Sequence, residues 1–573
     1  MLFVAGDGIQ TLRQRVALNA DAAQQAKTIV AQAETLLTEE VIVPLFDATR
    51  PILLTTARRL ADRVHVLGVA WFLTGQPRFR VRLAKEALAA SDFEHWNRTH
   101  FLDVAEMAAA VSLAYEWAQP ILSAVEKGRI EAAIHLHALK PGLSSLRSKT
   151  EWTRRANNWN LVCCGGLVLA ALALSKSYAA EAQELLDRAI DAIKLGLASY
   201  GTEGGWDEGV SYWEYGTRIA VLALAALEER SPEHMKTLDI SGLLASWRFG
   251  RAMTTPAGRS VNIGDSELRT RRLPVYGWLV AHGGGAETGQ WQNEAPGTPH
   301  PFDLLWPGTG AGKRWEAPAT EIFNEAGYAA LRSGPSGYLA VRAGRNRSNH
   351  AHLDLGSFVY ENDGAILVAD PGRGDYSAPG YFREGERETH PNVGTAVHST
   401  IRFDGRNQSL DAQARFIAYD SVASSARVAV AIDDPAAPCL HFRAFVLEDS
   451  CLAVVDRIVP RLGGSCTAFW TMTTAANVEC QHDGVHLMSE AGNYELLWDG
   501  EGNVSAFSVH GPVASIDHGN DVLMTLERQI PIEGESWILA TLSRTDAYSD
   551  RRSQSVAEHC RRWLAQVSDP VLT

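Results

Sequence analysis

The sequence lacks three features that would each point to a class of protein. It has no uncharged apolar run of about 18 residues or more, so a membrane-spanning helix is not expected. Its seven cysteines are scattered and include no Cys-x-x-Cys pair, which argues against a disulfide framework and favours reduced thiols in the core. Its first residues, Met1 to Asp7, have neither the basic segment nor the long apolar core of a signal peptide. We therefore expect a cytoplasmic protein, or a periplasmic one if a leader is removed.

Positive charge is also scarce. The chain has 53 Lys and Arg against 67 Asp and Glu, a net charge of −14, which argues against nucleic-acid binding. An acidic substrate would therefore need a local basic cluster. Arginines do bracket one region of the chain: Arg342, Arg345, Arg347, Arg373, Arg383 and Arg387. For any single one of them, a solvated surface position is an equally good interpretation.

A chain of 573 residues is too long for one ordinary core, so two or more domains are expected. Residues 1–290 have apolar residues at helical spacing, and we predict antiparallel helices separated by short polar or Gly-rich turns. The predicted helices are Phe101–Trp117, Arg129–Leu139, Asn160–Leu174, Ala180–Leu197 and Tyr215–Leu227. Lys140-Pro141-Gly142 is predicted to end the second of these. The pattern favours a helical toroid or solenoid, without a strict sequence repeat.

The period of the pattern changes after residue 290. Residues 291–320 are dense in Gly and Pro and are predicted to be a linker. Residues 321–573 contain short β-type runs with few intervening helical patterns, which indicates an antiparallel β-sandwich. Examples of these runs are Gly337–Arg342, Ala426–Ile432 and Leu452–Val459.

The most informative stretch of the chain is Asn349 to Phe358. On an extended strand, His350, His352 and Asp354 would project from the same face. Polar groups of this kind are costly to dehydrate unless something uses them. The β-prone flanks are joined by Asn362-Asp363-Gly364, a strong hairpin signal. We therefore predict a metal or catalytic site on a sheet.

Two interpretations of this cluster stay open from the residues alone. In the first, one histidine binds zinc while the other is reactive, and Asp370 meets His352 across the hairpin. A third imidazole would come from His398, with His390 as its rival. In the second, the same groups form a satisfied hydrogen-bond network without a metal.

Two polar and aromatic segments stand out in the helical half. Arg154 to Asn160 combines two arginines, three asparagines and an indole at a helix start, which is more than a helix cap requires. Gly204 to Gly216 interleaves aromatic residues with carboxylates and glycines. On a loop between helices, this composition is typical of a sugar-binding platform, although each Trp could equally fill the core.

Together these motifs resemble the heparinase II/III-like polysaccharide lyases, in the right order over most of the chain. The matching segments are His350-x-His352-x-Asp354-x-Gly356-Ser357-Phe358, Asp370-Pro371-Gly372, Asp375-Tyr376, Tyr381-Phe382-Arg383, His398-Ser399-Thr400, Asp404-Gly405-Arg406-Asn407-Gln408, Asn157-Asn158-Trp159-Asn160 and Glu208-Gly209-x-x-Tyr212-Trp213. The resemblance implies an N-terminal incomplete (α/α) toroid followed by a C-terminal antiparallel β-sandwich. It also implies a structural zinc ion in the β domain.

The resemblance further implies roles for individual residues. His350 and Tyr212 would be catalytic, and Asn158 would help to neutralise the substrate carboxylate. The implied zinc ligands are His352, Asp370 and His398. Further substrate contacts are predicted for Asn157, Trp159, Trp206, Glu208, Tyr215, Arg345 and Arg383.

Two points of the motif leave alternatives. Trp159 stands where some members of the family have a second catalytic histidine, which bears on whether both uronate epimers are substrates. Tyr215 is the alternative to Tyr212 as the catalytic tyrosine, because the spacing of these aromatic residues varies in the family.

The implied activity is that of a carbon–oxygen lyase acting on an acidic poly- or oligosaccharide. A base, His350 or ionised Tyr212, removes the uronate C5 proton while amide donors and an Arg stabilise the intermediate. Tyr212 then protonates the oxygen that leaves C4, and an unsaturated uronate results. Heparin-type glycosaminoglycans, alginate and related uronates all fit, and both exo and endo action stay open.

Two other functions fit parts of the sequence. A glycoside hydrolase on an (α/α) toroid would use paired carboxylates, which Asp207 with Glu208 or Glu214 could supply. A non-catalytic glycan-binding protein would keep the aromatic platforms but would not need Tyr212 or His350.

Overall fold

The structure is a computed structural model of the chain. It describes residues 2–4, 7–46, 52–269, 275–283, 300–306, 317–422, 425–448, 450–461, 464–481, 484–499, 504–510, 522–546 and 550–572. Most of the predicted linker, residues 291–320, therefore lies outside the described residues.

The chain divides into two compact units. Unit 1 comprises Met1–Gly204, Trp213–Trp247 and Arg271–Trp315, and unit 2 comprises Gly205–Tyr212, Arg248–Thr270 and Glu316–Thr573. Two short segments that precede residue 290 thus belong to the β-rich unit. The domain limits given above, 1–290 and 321–573, stay predictions from composition.

Helices form most of the first half of the chain. Their bounds are Gly8–Leu18 (α1), Ala20–Thr38 (α2), Leu54–Thr74 (α3), Pro77–Ser91 (α4), Phe101–Ala118 (α5), Ala124–Ile134 (α6), Lys140–Ser148 (α7), Asn158–Leu174 (α8), Ala179–Ala198 (α9), Val210–Arg230 (α10), Pro232–Met235 (α11), Ser241–Ala245 (α12), Trp247–Ala252 (α13), Tyr276–Gly283 (α14) and Pro301–Leu305 (α15). A last helix, Asp550–Leu572 (α16), follows the strands. The five helices that the apolar spacing predicts are all present, with ends shifted by a few residues.

One predicted helix end is wrong. The structure continues from α6 through a π-helical turn, His135–Leu139, directly into α7. Pro141 does not end the helix, because the π-helical turn immediately before it changes the backbone hydrogen bonds at this point.

Two helices form the centre of unit 1. Helices α5 and α8 are buried around almost their whole circumference, which is typical of a helix enclosed by others. Gly166 allows their close approach, because a Cβ at this position would lie 2.2 Å from the carbonyl oxygen of Ala105. No helix in the described ranges is long and apolar enough to span a membrane.

Unit 2 is built of antiparallel strands. Their bounds are Thr320–Phe323 (β1), Tyr328–Ser333 (β2), Gly337–Arg342 (β3), Gly344–Arg345 (β4), Phe358–Asn362 (β5), Ala365–Val368 (β6), Ile401–Phe403 (β7), Gln413–Val422 (β8), Ser425–Asp433 (β9), Cys439–Glu448 (β10), Cys451–Pro460 (β11), Cys466–Thr474 (β12), Asn477–Cys480 (β13), Val485–Ser489 (β14), Gly492–Trp498 (β15), Val504–His510 (β16), Val522–Ile532 (β17) and Ser536–Arg544 (β18). The predicted hairpin is confirmed: β5 pairs with β6, and the turn residues Asp363 and Gly364 both have positive φ.

These strands form three sheets. One has five strands in the order β1-β2-β3-β5-β6, one has nine in the order β13-β14-β15-β18-β11-β10-β9-β8-β4, and one has four in the order β16-β17-β12-β7. A buried apolar cluster contains side chains from all three, among them Leu339, Phe445 and Trp470. Helix α16 covers another part of the nine-stranded sheet, where Cys560 and Leu564 pack with Phe442 and Leu539.

Candidate active site

The segment that contains His350, His352 and Asp354 is not a strand, contrary to the prediction. The strand β5 begins only at Phe358, and the preceding residues turn back on themselves through the hydrogen bonds from Ala351 N to Ser348 O and from Ser357 N to Asp354 O. His350 has a φ of +61°, a left-handed conformation that is strained for a residue with a side chain. The two imidazoles therefore meet their partners from a loop of unit 2.

Tyr212 lies against His350 within unit 2. Their rings are stacked, with centroids 3.7 Å apart and an interplanar angle of 11°. Tyr212 was expected on a loop, but it lies in the first turn of α10. Its hydroxyl forms a hydrogen bond with the hydroxyl of Tyr376. The structure thus brings together the two residues that are predicted to be catalytic in this unit.

Asp265 holds the imidazole of His350. Its Oδ2 lies 2.8 Å from His350 Nδ1, and the carboxylate is 1% exposed. Nδ1 is therefore the protonated nitrogen of the neutral ring, because a carboxylate can only accept a hydrogen bond. His350 Nε2 has no hydrogen-bond partner among the described residues, so its lone pair is available to take a proton.

Aromatic and cationic groups surround this pair. Tyr376 OH lies 3.4 Å from His350 Nδ1, and the guanidinium of Arg373 lies 5.0 Å from the centroid of the Tyr376 ring. Burial, and then the charge of Asp265, raise the pKa of Tyr212 well above its ordinary value. Tyr212 is therefore a neutral phenol at neutral pH, with a proton to give.

The three predicted metal ligands also come together. One ligand atom each from His352, Asp370 and His398 lies within 4.8 Å of the others, and all three residues are buried. They come from three loops: the turn before β5, the segment after β6 and the segment between a short 3₁₀ turn and β7. His390, the rival of His398, instead packs its ring against Tyr381 at 5.1 Å. His398 is thus the histidine that completes the cluster.

The unpaired atoms of this cluster fit a metal ion. His352 Nδ1 and His398 Nε2 are buried and have no hydrogen-bond partner. The other nitrogen of each ring is bound to a carboxylate, His352 Nε2 to Asp265 at 2.9 Å and His398 Nδ1 to Asp370 at 2.8 Å. Metal-bound histidines usually have an outer contact of the kind that Asp265 makes with His352, and two imidazoles with a carboxylate are a ligand set for Zn²⁺.

Asp354 adds negative charge to the same region. It is fully buried, and neither of its carboxylate oxygens has a hydrogen-bond partner. Its ion-pair partner is Arg342, whose Nε lies 3.8 Å away. A buried carboxylate is costly unless a cation lies nearby, and the guanidinium of Arg342 supplies that charge.

The predicted amide residues lie in unit 1. Asn157 is the N-cap of α8, and its side chain accepts a hydrogen bond from the N–H of Trp159 at 3.1 Å. Asn158, the first residue of the helix, is 1% exposed. The ring of Trp159 contacts the edge of His100, with centroids 5.1 Å apart. Their roles toward a substrate stay predictions.

Trp206 and Glu208 in unit 2 are more enclosed than an open sugar platform would require. The indole N–H of Trp206 donates to Glu208 at 3.0 Å, and both residues are buried. Glu208 also accepts a hydrogen bond from Asn349, the residue before His350. This geometry favours a role in supporting the histidine loop.

Tyr215, the alternative to Tyr212, lies in unit 1. Its hydroxyl donates to Glu106 at 2.7 Å, and the guanidinium of Arg58 lies 4.9 Å from its ring centroid. The two predicted arginine contacts, both in unit 2, are largely exposed. The side chain of Arg345 is 63% exposed and that of Arg383 is 72% exposed.

Sequence reasoning missed Asp265 entirely. It lies in Asn262-Ile263-Gly264-Asp265-Ser266, within a region that was expected to be helical. The only signal in this segment is local: Gly-Asp-Ser is typical of a turn, and the segment has no apolar residues at helical spacing. Nothing in the sequence indicates that this turn meets a loop 85 residues further on.

Known proteins support the fold and the family. Residues 317–535 match the family model described as heparinase II/III-like, C-terminal. No curated protein matches the chain in sequence. A crystal structure of heparinase III has a TM-score of 0.63 at 13% identity, over 91% of this chain and 86% of that chain.

Two other solved structures are similar over most of the chain. A heparan sulfate lyase from Pedobacter heparinus has a TM-score of 0.55 at 13% identity, over 95% of this chain and 92% of that chain. A chondroitin AC lyase from Streptomyces coelicolor A3, in complex with chondroitin sulphate, has a TM-score of 0.54 at 12% identity, over 96% and 84%. The predicted fold class, an incomplete (α/α) toroid followed by an antiparallel β-sandwich, is confirmed. Residues 317–535 therefore form a heparinase II/III-like C-terminal domain, which confirms the resemblance of the motifs in this part of the chain.

Proposed function

We propose that this protein is a polysaccharide lyase that cleaves a uronic-acid-containing glycan by β-elimination. The observation that carries the proposal is the stacked pair of Tyr212 and His350, with Asp265 behind the imidazole. The pair offers one group that accepts a proton and one that gives a proton, side by side. The lyases named among the similar structures are consistent with this chemistry.

The two groups divide the reaction between them. His350 Nε2 takes the C5 proton, and the electrons of the C5–H bond form the C4–C5 double bond as the C4–O bond breaks. The leaving oxygen takes the phenolic proton of Tyr212. The raised pKa of Tyr212 keeps its phenol protonated, which favours His350 over ionised Tyr212 as the base. Proton transfer from His350 back to Tyr212 restores both groups, and no water is consumed.

Tyr376 lies next to both groups. Its hydroxyl forms a hydrogen bond with the hydroxyl of Tyr212 and lies 3.4 Å from His350 Nδ1. The uronate carboxylate must also be neutralised for C5 to be acidic. When C5 loses its proton, negative charge spreads onto the carboxylate oxygens, and donors near these oxygens stabilise it. From the resemblance we assign this task to Asn158. Arg345 and Arg383, both exposed, would attract the acidic glycan.

Zinc is the metal that we propose for His352, Asp370 and His398. When bound, it would tie together the three loops that carry these residues, and it has no direct part in the elimination. The unpaired His352 Nδ1 and His398 Nε2 support this assignment.

The rival hydrolase finds less support in unit 2. Asp207 and Glu208 are the paired carboxylates there, but Glu208 is buried and already bonded to Trp206 and Asn349. A hydrolase mechanism would also give no catalytic role to the strained His350 and the tyrosine stacked on it.

A panel of uronate polymers and oligomers tests the proposal. It should include heparin-type, alginate and chondroitin-type glycans, with end-point sizing of the products. We expect new ultraviolet absorbance from the conjugated double bond with at least one of them. New reducing ends without that absorbance would favour the hydrolase. Binding without any cleavage of the panel would favour the glycan-binding protein.

A further inference from the structure

Asp265 contacts two imidazoles with different tasks. Its Oδ2 lies 2.8 Å from His350 Nδ1, and its Oδ1 lies 2.9 Å from His352 Nε2. His350 is the proposed base, and His352 is a proposed metal ligand. One buried carboxylate therefore lies between the group that removes the substrate proton and the group that holds the metal.

These contacts fix a different tautomer in each ring. A carboxylate accepts but cannot donate, so the proton of neutral His350 must be on Nδ1 and that of neutral His352 on Nε2. The lone pairs that remain are His350 Nε2 and His352 Nδ1. The first is the atom that the elimination needs, and the second is the buried atom without a hydrogen-bond partner in the metal cluster.

We infer that Asp265 is a positioning residue that sets both tautomers at once and so couples the metal cluster to the catalytic histidine. The catalytic half of this inference rests on the proposed lyase function, and the metal half rests on the contacts of His352. Asp265 does not touch the substrate in this mechanism. It acts through the two imidazoles.

The backbone holds the carboxylate in register with the histidine loop. The N–H of Asp265 donates to the carbonyl oxygen of His350 at 3.0 Å. Gly264 has a φ of +68°, and a Cβ at this position would lie 3.0 Å from the same oxygen. The turn that carries Asp265 thus approaches His350 closely, and side-chain and backbone contacts reinforce each other.

Two further donors complete the hydrogen bonds to the Asp265 carboxylate. Tyr381 OH donates to Oδ1 at 2.6 Å, and Arg387 Nη2 donates to Oδ2 at 3.1 Å. The hydrogen bonds from His350 and His352 and the guanidinium of Arg387 compensate for the burial of this carboxylate. With two donors on each oxygen, the hydrogen-bonding capacity of the carboxylate is full.

This full capacity makes Asp265→Asn a sharp test. Whichever way the amide is oriented, its NH₂ group faces two donors, and one of them is an imidazole N–H. One imidazole must then change its tautomer or move away. We expect kcat to fall about 100-fold or more, as when a triad carboxylate is replaced by an amide, with KM within about threefold. We also expect affinity for Zn²⁺, measured by competition with a chromogenic chelator, to fall about 10- to 100-fold.

Asp265→Glu and Asp434→Asn are the matched controls. Asp265→Glu keeps the anion with a longer reach and should recover part of both losses. Asp434 is also a buried carboxylate of unit 2, and it accepts hydrogen bonds from Ser409 N at 3.0 Å and Ser409 Oγ at 2.6 Å. Asp434→Asn should leave zinc affinity and the ratio of kcat to KM unchanged. The inference is overturned if Asp265→Asn keeps kcat within about threefold, or loses activity while its zinc affinity is unchanged.

The wild-type protein offers a readout that does not depend on activity. Long-range ¹H–¹⁵N spectra of histidine-labelled protein distinguish the two neutral tautomers, and His350→Gln and His352→Gln assign the signals. We expect protonated Nδ1 in His350 and protonated Nε2 in His352. The opposite tautomer in either ring overturns the inference. If no glycan yields an unsaturated product, the proposed function fails, but the tautomers and the zinc affinity still decide whether Asp265 couples the two histidines.

Discussion

Tyr215 donates its hydroxyl hydrogen bond to Glu106 at 2.7 Å, deep in the helical unit. Burial, together with the charge of Glu106, raises the pKa of Tyr215 well above its ordinary value. Glu106 also pairs with Arg58 and Arg218, so Tyr215 belongs to a buried charge network. Tyr212, three residues earlier, instead forms a hydrogen bond from its hydroxyl to the hydroxyl of Tyr376, and its ring stacks on that of His350. Two tyrosines that the sequence could not rank thus have different partners.

Replacing each tyrosine by Phe should separate their roles. We expect Tyr212→Phe to lower kcat about 10²- to 10⁴-fold, because the acid for the leaving oxygen is lost, while glycan binding weakens only slightly. Tyr215→Phe should instead lower the free energy of unfolding by about 1–3 kcal/mol, because it removes a buried hydrogen bond to Glu106. Steady-state kinetics with urea denaturation of each variant measure both effects.

A third variant guards against a general effect of removing a hydroxyl. Tyr419 is 57% exposed on β8, and Tyr419→Phe should change neither quantity. A Tyr212→Phe protein with wild-type turnover would exclude Tyr212 as the acid.

The two rival histidines give a prediction about the metal. His398→Gln should lower the zinc content from one ion per chain to nearly none, because its Nε2 is one of the unpaired atoms of the cluster. His390→Gln should keep the zinc, because the His390 ring packs against Tyr381 outside the cluster. Elemental analysis after dialysis measures the content, and chelation of the wild-type protein should lower its melting temperature. Equal zinc in both variants would argue against the proposed ligand set.

The sequence was sufficient for those parts of the molecule that depend on local pattern. The helices α5 and α8 follow from apolar spacing, and the β5–β6 hairpin follows from Asn362-Asp363-Gly364. The cluster of His352, Asp370 and His398 came from a motif resemblance, and the structure brings these residues together.

The errors arose where tertiary contacts override local preference. Alternating polar and apolar residues suggested a strand at His350, but the chain turns there because the histidines bind a carboxylate from a distant segment. Pro141 suggested a helix end, but the π-helical turn before it lets the helix continue. Asp265 could not be found because its role depends on a partner far away along the chain, which no local pattern encodes.

The exposed arginines should affect substrate attraction and leave the chemical step unchanged. Arg383 is 72% exposed and pairs with Glu386, so its removal leaves the buried groups undisturbed. We expect Arg383→Ala to raise KM for an acidic polymer by about two- to fivefold at low salt, the range of an exposed charge pair, with kcat unchanged. The difference should shrink as ionic strength rises. A fall in kcat that salt does not alter would instead place Arg383 at the reacting sugar.

Asp456 gives a prediction about stability. It accepts hydrogen bonds from His441 Nε2 at 2.6 Å and from Arg443 Nε at 2.6 Å, in the interior of unit 2. Arg443 in turn donates to the carbonyl oxygens of Gly356 and Ser399, next to the loops that carry the metal ligands. Asp456→Asn leaves this buried guanidinium without its counter-charge, so the free energy of unfolding at neutral pH should fall by about 3–5 kcal/mol.

The same residue predicts how stability depends on pH. Burial opposes ionisation, but the charge of Arg443 and the hydrogen bond from His441 lower the pKa of Asp456 from 3.8 to about 2. A lowered pKa means that the folded state holds the proton less tightly than the unfolded state, so the contribution is complete above pH 3.8 and is lost as pH falls through about 2. The size of this shift corresponds to about 2 kcal/mol. The difference in unfolding free energy between wild type and Asp456→Asn should therefore shrink by about that amount between pH 5 and pH 2.

Urea denaturation at a series of pH values measures this difference. Asp411 is an exposed carboxylate, and Asp411→Asn is the control. A difference that stays constant across that range would mean that the pKa of Asp456 is the same in the folded and the unfolded protein.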